Sequence, residues 1–228
     1  MNWVITPPPR PALHVEGTNA RFPVRRIYCV GRNYAAHARE MGHDPAREAP
    51  FFFAKPPDAV VPGGGAIAWP SSTRALHHEV ELVVALGGHG EALTPDAAAS
   101  LVWGHAVGVD LTRRDLQAEA KRQARPWDTA KGFDHSAPVG SVLPVTVGRP
   151  AADAGIWLDV NGERRQQATL AALTWPVPEL LAALSQLFRL APGDLVFTGT
   201  PAGVAALAPG DCIECGIDGL PLLALRVG

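Results

Sequence analysis

Glu79 and Glu81 stand two apart in the run His77-His78-Glu79-Val80-Glu81-Leu82-Val83-Val84, where a β-type apolar stretch begins. On a strand alternate side chains share a face, so the two carboxylates would lie side by side. Like charges at that spacing are unfavourable unless a proton or a cation sits between them. Carboxylate oxygens suit a hard divalent ion, Mg²⁺, Mn²⁺ or Ca²⁺, better than zinc. The bland alternative is a solvated strand face with two exposed glutamates. A third acid, Asp110, closes the apolar run 105–109 just before a helical segment, a junction where functional groups often gather. An aspartate in that position can equally serve as the helix N-cap.

His37 and Glu40 form a second pair. Three apart on a short helical stretch (residues 34–41), they would share one face. A carboxylate beside an imidazole fixes the ring tautomer and raises its basicity, which is how water is activated; an ordinary surface pair has the same spacing. Arg114 and Gln117 repeat the three-residue spacing in the helical segment 111–123, within reach of whatever Asp110 holds. Lys131, in Trp127-Asp128-Thr129-Ala130-Lys131-Gly132-Phe133, sits among apolar and small residues and could steady an oxyanion, or be a plain loop lysine. Thr198-Gly199-Thr200-Pro201 could set a hydroxyl and backbone N–H groups against a carboxylate, or be a strand-ending turn.

The elements that must position these groups are mostly strands. Residues 26–31 read as a short β run, and residues 42–75, rich in Pro and Gly, as loops and short strands. Residues 77–87 read as a strand entering the core, 95–103 as a short helix and 105–110 as another strand. Asn161-Gly162 between β-type flanks predicts a type I′ hairpin, and residues 176–188 an amphipathic helix opened by proline. Strands do not alternate regularly with helices, which predicts an α+β fold with a mixed or antiparallel core. Residues 1–24, proline-rich and irregular, read as an extended arm on one domain spanning residues 25–228.

Composition narrows the classes. The 228 residues carry a formal charge of −2, which gives no electrostatic reason to expect nucleic acid or an anionic membrane. No apolar stretch is long enough to span a bilayer, and the first residues lack a secretory-signal pattern. Three cysteines, Cys29, Cys212 and Cys215, fit a reducing cytoplasm better than a disulfide framework. The Cys212–Cys215 spacing matches half a zinc or redox motif, but no second pair exists and the segment reads as strand, turn, strand.

Six segments in order, 30–42, 51–61, 76–87, 108–117, 127–134 and the run Gly193-Asp194-Leu195-Val196-Phe197-Thr198-Gly199-Thr200, together resemble the fumarylacetoacetate hydrolase family. The likeness extends from about Arg26 to the end and is to the short, single-domain members. It implies a mixed β-roll or β-sandwich core, a homodimer, and a Mg²⁺ or Mn²⁺ ion held by Glu79, Glu81 and Asp110. It further implies a water-activating dyad of His37 and Glu40, and Lys131 as stabiliser of developing negative charge. Arg32, Arg114, Gln117 and Thr200 fall where the family contacts the acidic end of its substrate. Lys55 falls in a shared motif without an assigned role. The implied activity is hydrolysis of a carbon–carbon bond in a small diketo acid, fumarylpyruvate foremost, with oxaloacetate decarboxylation or keto–enol tautomerisation as the alternative on the same scaffold.

Overall fold

The computed structural model describes residues 2–36 and 48–228. Two sheets dominate. The larger has eight strands: Phe51–Lys55, Arg26–Gly31, Asp194–Phe197, Val80–Leu86, Val102–Val109, Ala137–Val139 and Val60–Pro62 follow one another across it, and Leu143–Pro144 pairs beside Val102–Val109. The smaller has five, in the order Glu163–Thr169, Gly155–Val160, Cys212–Ile217, Leu223–Val227 and Gly65–Ile67. Most neighbours are antiparallel, but Asp194–Phe197 runs parallel to Arg26–Gly31, and Ala137–Val139 parallel to Val60–Pro62. The fold is the α+β arrangement expected from the sequence.

Strand Val80–Leu86 is buried at every position, which explains why it reads as a nearly continuous apolar run. Its even-numbered residues Val80, Leu82, Val84 and Leu86 join Ile156, Leu158, Ile213, Leu223 and Leu225 of the smaller sheet in one core. Its odd-numbered residues Val83 and Ala85 face a second core with Cys29, Ala106, Val139, Leu195 and Phe197, all from the larger sheet. A single sheet can surround its own core only by curling, so the larger sheet is a half-barrel.

Residues 12–23 close part of that second core. Ala12–His14 pairs with Arg21–Pro23, and Leu13, Phe22 and Val24 are buried there, whereas residues 2–10 lie exposed. The hairpin at Asn161-Gly162 forms as expected, with φ of 53° and 81°. Helix Val177–Leu187 packs its apolar face into the inter-sheet core through Leu180, Leu181 and Leu184. The segment read as a helix to residue 103 is helical only over Pro95–Ala99; Val102 and Trp103 already belong to the next strand, because Trp and Val pack better on a pleated surface. Cys212 is exposed and Cys215 buried on opposite faces of one strand, so they form no paired site. Of the helix expected over residues 34–41, residues 37–41 lie outside the described residues.

His105, on strand Val102–Val109, has a buried Nδ1 without a hydrogen-bond partner among the described residues. Burial, and then the charge of Arg149, push its pKa down to about 4. The unfolded chain takes up a proton near pH 6.5 that the folded protein refuses until about pH 4, so stability falls as pH drops through that window. His105→Gln is expected to remove about 2 kcal/mol of this acid-side loss. Urea unfolding at pH 7.5 and pH 4.5 checks it; an unchanged pH dependence would refute the assignment.

Candidate functional site

The register of the two central strands builds the site. Val80 pairs with Val109 and Glu81 with Gly108, so one residue further on Glu79 lies opposite Asp110. The Asp110 N–H donates to the Glu79 carbonyl at 2.8 Å, which locks that pairing. Glu79, Glu81 and Asp110 therefore share one face, the face that carries Val83 and Ala106 into the half-barrel core. All three are buried, and one oxygen from each falls within 4.8 Å of the others. The N-cap of the following helix Arg114–Arg122 is Arg113, so Asp110 is not a capping residue.

Three cations answer the three acids. Lys131 Nζ donates to Glu79 Oε2 at 2.8 Å and to Asp110 Oδ2 at 2.6 Å. Lys55 Nζ lies 2.8 Å from Asp110 Oδ1 and donates to the carbonyls of Leu111, at 3.2 Å, and Lys131. Arg114 pairs with Glu79 and donates to Gln117 Oε1 at 2.6 Å. Helix Asp128–Lys131 delivers Lys131, and the curl of the larger sheet brings Lys55 from its edge strand back to Asp110. Burial works against the Lys131 ammonium, but Asp110 and Glu79 outweigh it and raise its pKa. Glu81 goes the other way: burial first, then repulsion by Asp110 and Glu79, raise its pKa well above the usual carboxylate range. Lys131 and the Gly199 N–H, which donates to Glu81 Oε2 at 2.6 Å, oppose that rise.

These residues suit a hard divalent cation. The donors are carboxylate oxygens. Asp110 Oδ1 is buried and, despite its ion-pair contact with Lys55, accepts no aligned hydrogen bond among the described residues. Glu81 is under charge pressure that a cation at the triad would relieve. A pocket of about 430 Å³, counted with its open mouth, reaches Glu79 and Glu81 of the triad and is also lined by Arg32, Arg114, Gln117, Lys121, Lys131 and Thr200. The structure thus brings together eight of the ten residues singled out from the sequence. The other two, His37 and Glu40, lie outside the described residues.

Two residues that the sequence left without a role hold this arrangement. Lys55 touches the triad directly. Gln166 is a buried hub: its Nε2 donates to Thr200 Oγ1 at 2.8 Å, and its Oε1 accepts from the Val80 N–H at 3.1 Å and meets His78 Nδ1 at 2.9 Å. Thr200 Oγ1 in turn donates to the Val80 carbonyl at 2.8 Å. Gln166 lies on a strand whose other residues, Ala168 apart, are polar and exposed, so little in the local pattern marks it. Gly199 adopts φ +99°, and a Cβ there would come within 2.7 Å of Asn33 Cβ, so the turn that aims its N–H at Glu81 requires glycine.

Residues 26–228 match the family described as fumarylacetoacetate (FAA) hydrolase C-terminal. The mitochondrial oxaloacetate tautomerase FAHD1 of Rattus norvegicus is 41% identical over 203 residues, covering 89% of this chain and 91% of that protein. The fumarylpyruvate hydrolase of Pseudomonas aeruginosa, solved in complex with Mn²⁺ and pyruvate, superposes with a TM-score of 0.96 at 49% identity and 99% coverage of both chains. The 5-carboxymethyl-2-hydroxymuconate delta-isomerase of Mycobacterium smegmatis superposes at 0.80, with 31% identity, over 91% of this chain and 80% of that one.

Removing one partner of a buried ion pair strands the other charge. Lys55→Met is expected to cost roughly 3–5 kcal/mol of unfolding free energy, and adding Asp110→Asn to recover part of that loss. Denaturant titration of both variants checks this; equal stability of Lys55→Met and wild type would show that the pair carries no weight.

Proposed function

This chain belongs to the fumarylacetoacetate hydrolase family, and within it we propose that it hydrolyses a carbon–carbon bond of an acylpyruvate, fumarylpyruvate foremost, to fumarate and pyruvate. The observation that carries the reading is the buried triad Glu79, Glu81 and Asp110, two members of which, Glu79 and Glu81, line a cation-rich pocket. The strong likeness to a fumarylpyruvate hydrolase that holds Mn²⁺ and pyruvate supports it.

In this reading Glu79, Glu81 and Asp110 hold Mg²⁺ or Mn²⁺, with Ca²⁺ as a further candidate. When bound, the ion supplies a Lewis acid for the adjacent carboxylate and keto oxygens of the pyruvoyl group. Arg114, Gln117, Arg32 and Thr200 orient the acidic substrate in the pocket. His37, assisted by Glu40, takes a proton from water, and the hydroxide adds to the carbonyl of the acyl group. Lys131 steadies the oxyanion that develops there. The bond to the methylene carbon then breaks; its electron pair leaves with that carbon, which is protonated as pyruvate forms. The burial of Lys131 favours this task, since an ammonium in a low-dielectric site acts on a nearby charge far more strongly than one in water.

The physiological setting we propose is aromatic catabolism in the cytoplasm by a homodimer, with residues 25–228 as the catalytic unit and the N-terminal arm packed on it through Leu13, Phe22 and Val24. Among the described residues no helix is long and apolar enough to cross a membrane.

A second reading has its own support. The Rattus norvegicus relative is an oxaloacetate tautomerase, and keto–enol exchange on this scaffold needs no attacking water. Turnover of fumarylpyruvate, acetylpyruvate and oxaloacetate by the Mn²⁺-loaded protein separates the two. Fumarylpyruvate hydrolysis is expected to dominate, and His37→Ala to lower its kcat by about 10²–10⁴-fold while Mn²⁺ still binds. Dominant oxaloacetate tautomerisation, or hydrolysis by His37→Ala at the wild-type rate, would defeat the hydrolase reading.

A further inference from the structure

Lys121 has no part in the chemistry above, yet it lines the same pocket as Glu79 and Glu81 of the acidic triad. It lies on helix Arg114–Arg122 seven residues after Arg114 and four after Gln117, so the three side chains form one stripe along the helix. That stripe climbs about 10 Å from the residue paired with Glu79 towards the pocket mouth.

The cations of the pocket fall into two groups. Lys131, Lys55 and Arg114 are matched by Asp110 and Glu79 on the floor. Lys121 and Arg32 have no carboxylate partner among the described residues. Each instead rests on an aromatic ring: Lys121 Nζ is 5.2 Å from the centroid of Trp127, and the Arg32 guanidinium 5.3 Å from that of Phe51. The two rings meet edge to face at 5.4 Å, so cation, ring, ring and cation form a continuous bracket along the pocket wall. Lys121 is exposed at the surface, yet partial desolvation, followed by the like charges of Arg114 and Arg32, lowers its pKa against the pull of Glu79.

We infer that the bracket of Lys121, Trp127, Phe51 and Arg32 is a second carboxylate subsite, with Lys121 as the residue that selects acylpyruvates whose acyl chain ends in its own carboxylate. The inference rests on the acylpyruvate reading of the floor and deepens it. A seven-carbon dicarboxylic acylpyruvate spans about 7–8 Å between its terminal carbons, from six bonds of about 1.5 Å. That length reaches from the floor to the upper part of the Arg114–Lys121 stripe. A short acyl group such as acetyl would leave the bracket unused. The subsite thus discriminates through a charge-assisted contact that only the diacid can make.

The test compares kcat/KM for fumarylpyruvate and acetylpyruvate in wild type, Lys121→Met and Lys121→Arg, each loaded with Mn²⁺. The fumarylpyruvate-to-acetylpyruvate ratio is expected to fall at least about tenfold in Lys121→Met, through KM rather than kcat, and to be largely restored in Lys121→Arg. An unchanged ratio, or an equal loss on both substrates, would overturn the inference. A calorimetric arm separates this from the hydrolase reading, with fumarate and crotonate (the same chain with a methyl group in place of one carboxylate) titrated into each protein. Wild type is expected to prefer fumarate at least about tenfold and Lys121→Met to lose that preference, even should neither diketo acid be cleaved. No preference in wild type, or its survival in Lys121→Met, would overturn the subsite whatever the reaction proves to be.

Discussion

Three carboxylates buried on one face of two paired strands are the constraint around which this protein is built. Desolvation and mutual repulsion would each drive such groups to take up protons or to separate. The half-barrel instead meets them with Lys55, Lys131 and Arg114, drawn from an edge strand and two helices. The compensation is uneven. Glu79 and Asp110 receive the lysines and the arginine, while among the described residues Glu81 accepts one hydrogen bond, from the Gly199 N–H, and its pKa is raised. That imbalance is what makes the cluster receptive to a divalent cation, since a second positive charge gains most where compensation is thinnest.

The rest of the fold keeps those positions fixed. Strand Val80–Leu86 is sandwiched between two apolar cores, so a shift of register by one residue would carry Glu81 to the opposite face and break both cores together. Gln166 reaches in from the smaller sheet to bind Thr200, Val80 and His78, tying that sheet to the start of the acidic strand. Asn33 donates to the carbonyls of Thr198 and Trp175 and so anchors the turn that holds Gly199. The same turn explains the glycine: its N–H reaches Glu81 only in a left-handed conformation crowded against Asn33.

Much of this was legible in the sequence because it depends on local pattern. The alternation of Glu79 and Glu81 ahead of an apolar run, the carboxylate of Asp110 at a strand end and the Asn161-Gly162 turn each follow from one short segment. What stayed hidden depends on tertiary closure. Lys55 ends an apolar edge strand separated by two others from the acidic one, and only the curl of the sheet brings it to Asp110. Gln166 sits in a largely polar strand where, beyond Ala168 two residues on, little local distinguishes it from its exposed neighbours. Lys131 was legible as an unusual lysine, but its double contact with Glu79 and Asp110 follows from where a four-residue helix happens to end. The pairing inside residues 12–23 was masked by proline and glycine that suit an irregular arm as well as a hairpin.

The most direct measurement is an anomalous-scattering map from crystals of the full chain grown with Mn²⁺. One strong peak is expected, bounded by oxygens of Glu79, Glu81 and Asp110 at no more than about 2.6 Å, and absent in Asp110→Asn. A map with no peak between these side chains, or with manganese held elsewhere while they keep only their lysines and arginine, would contradict the account.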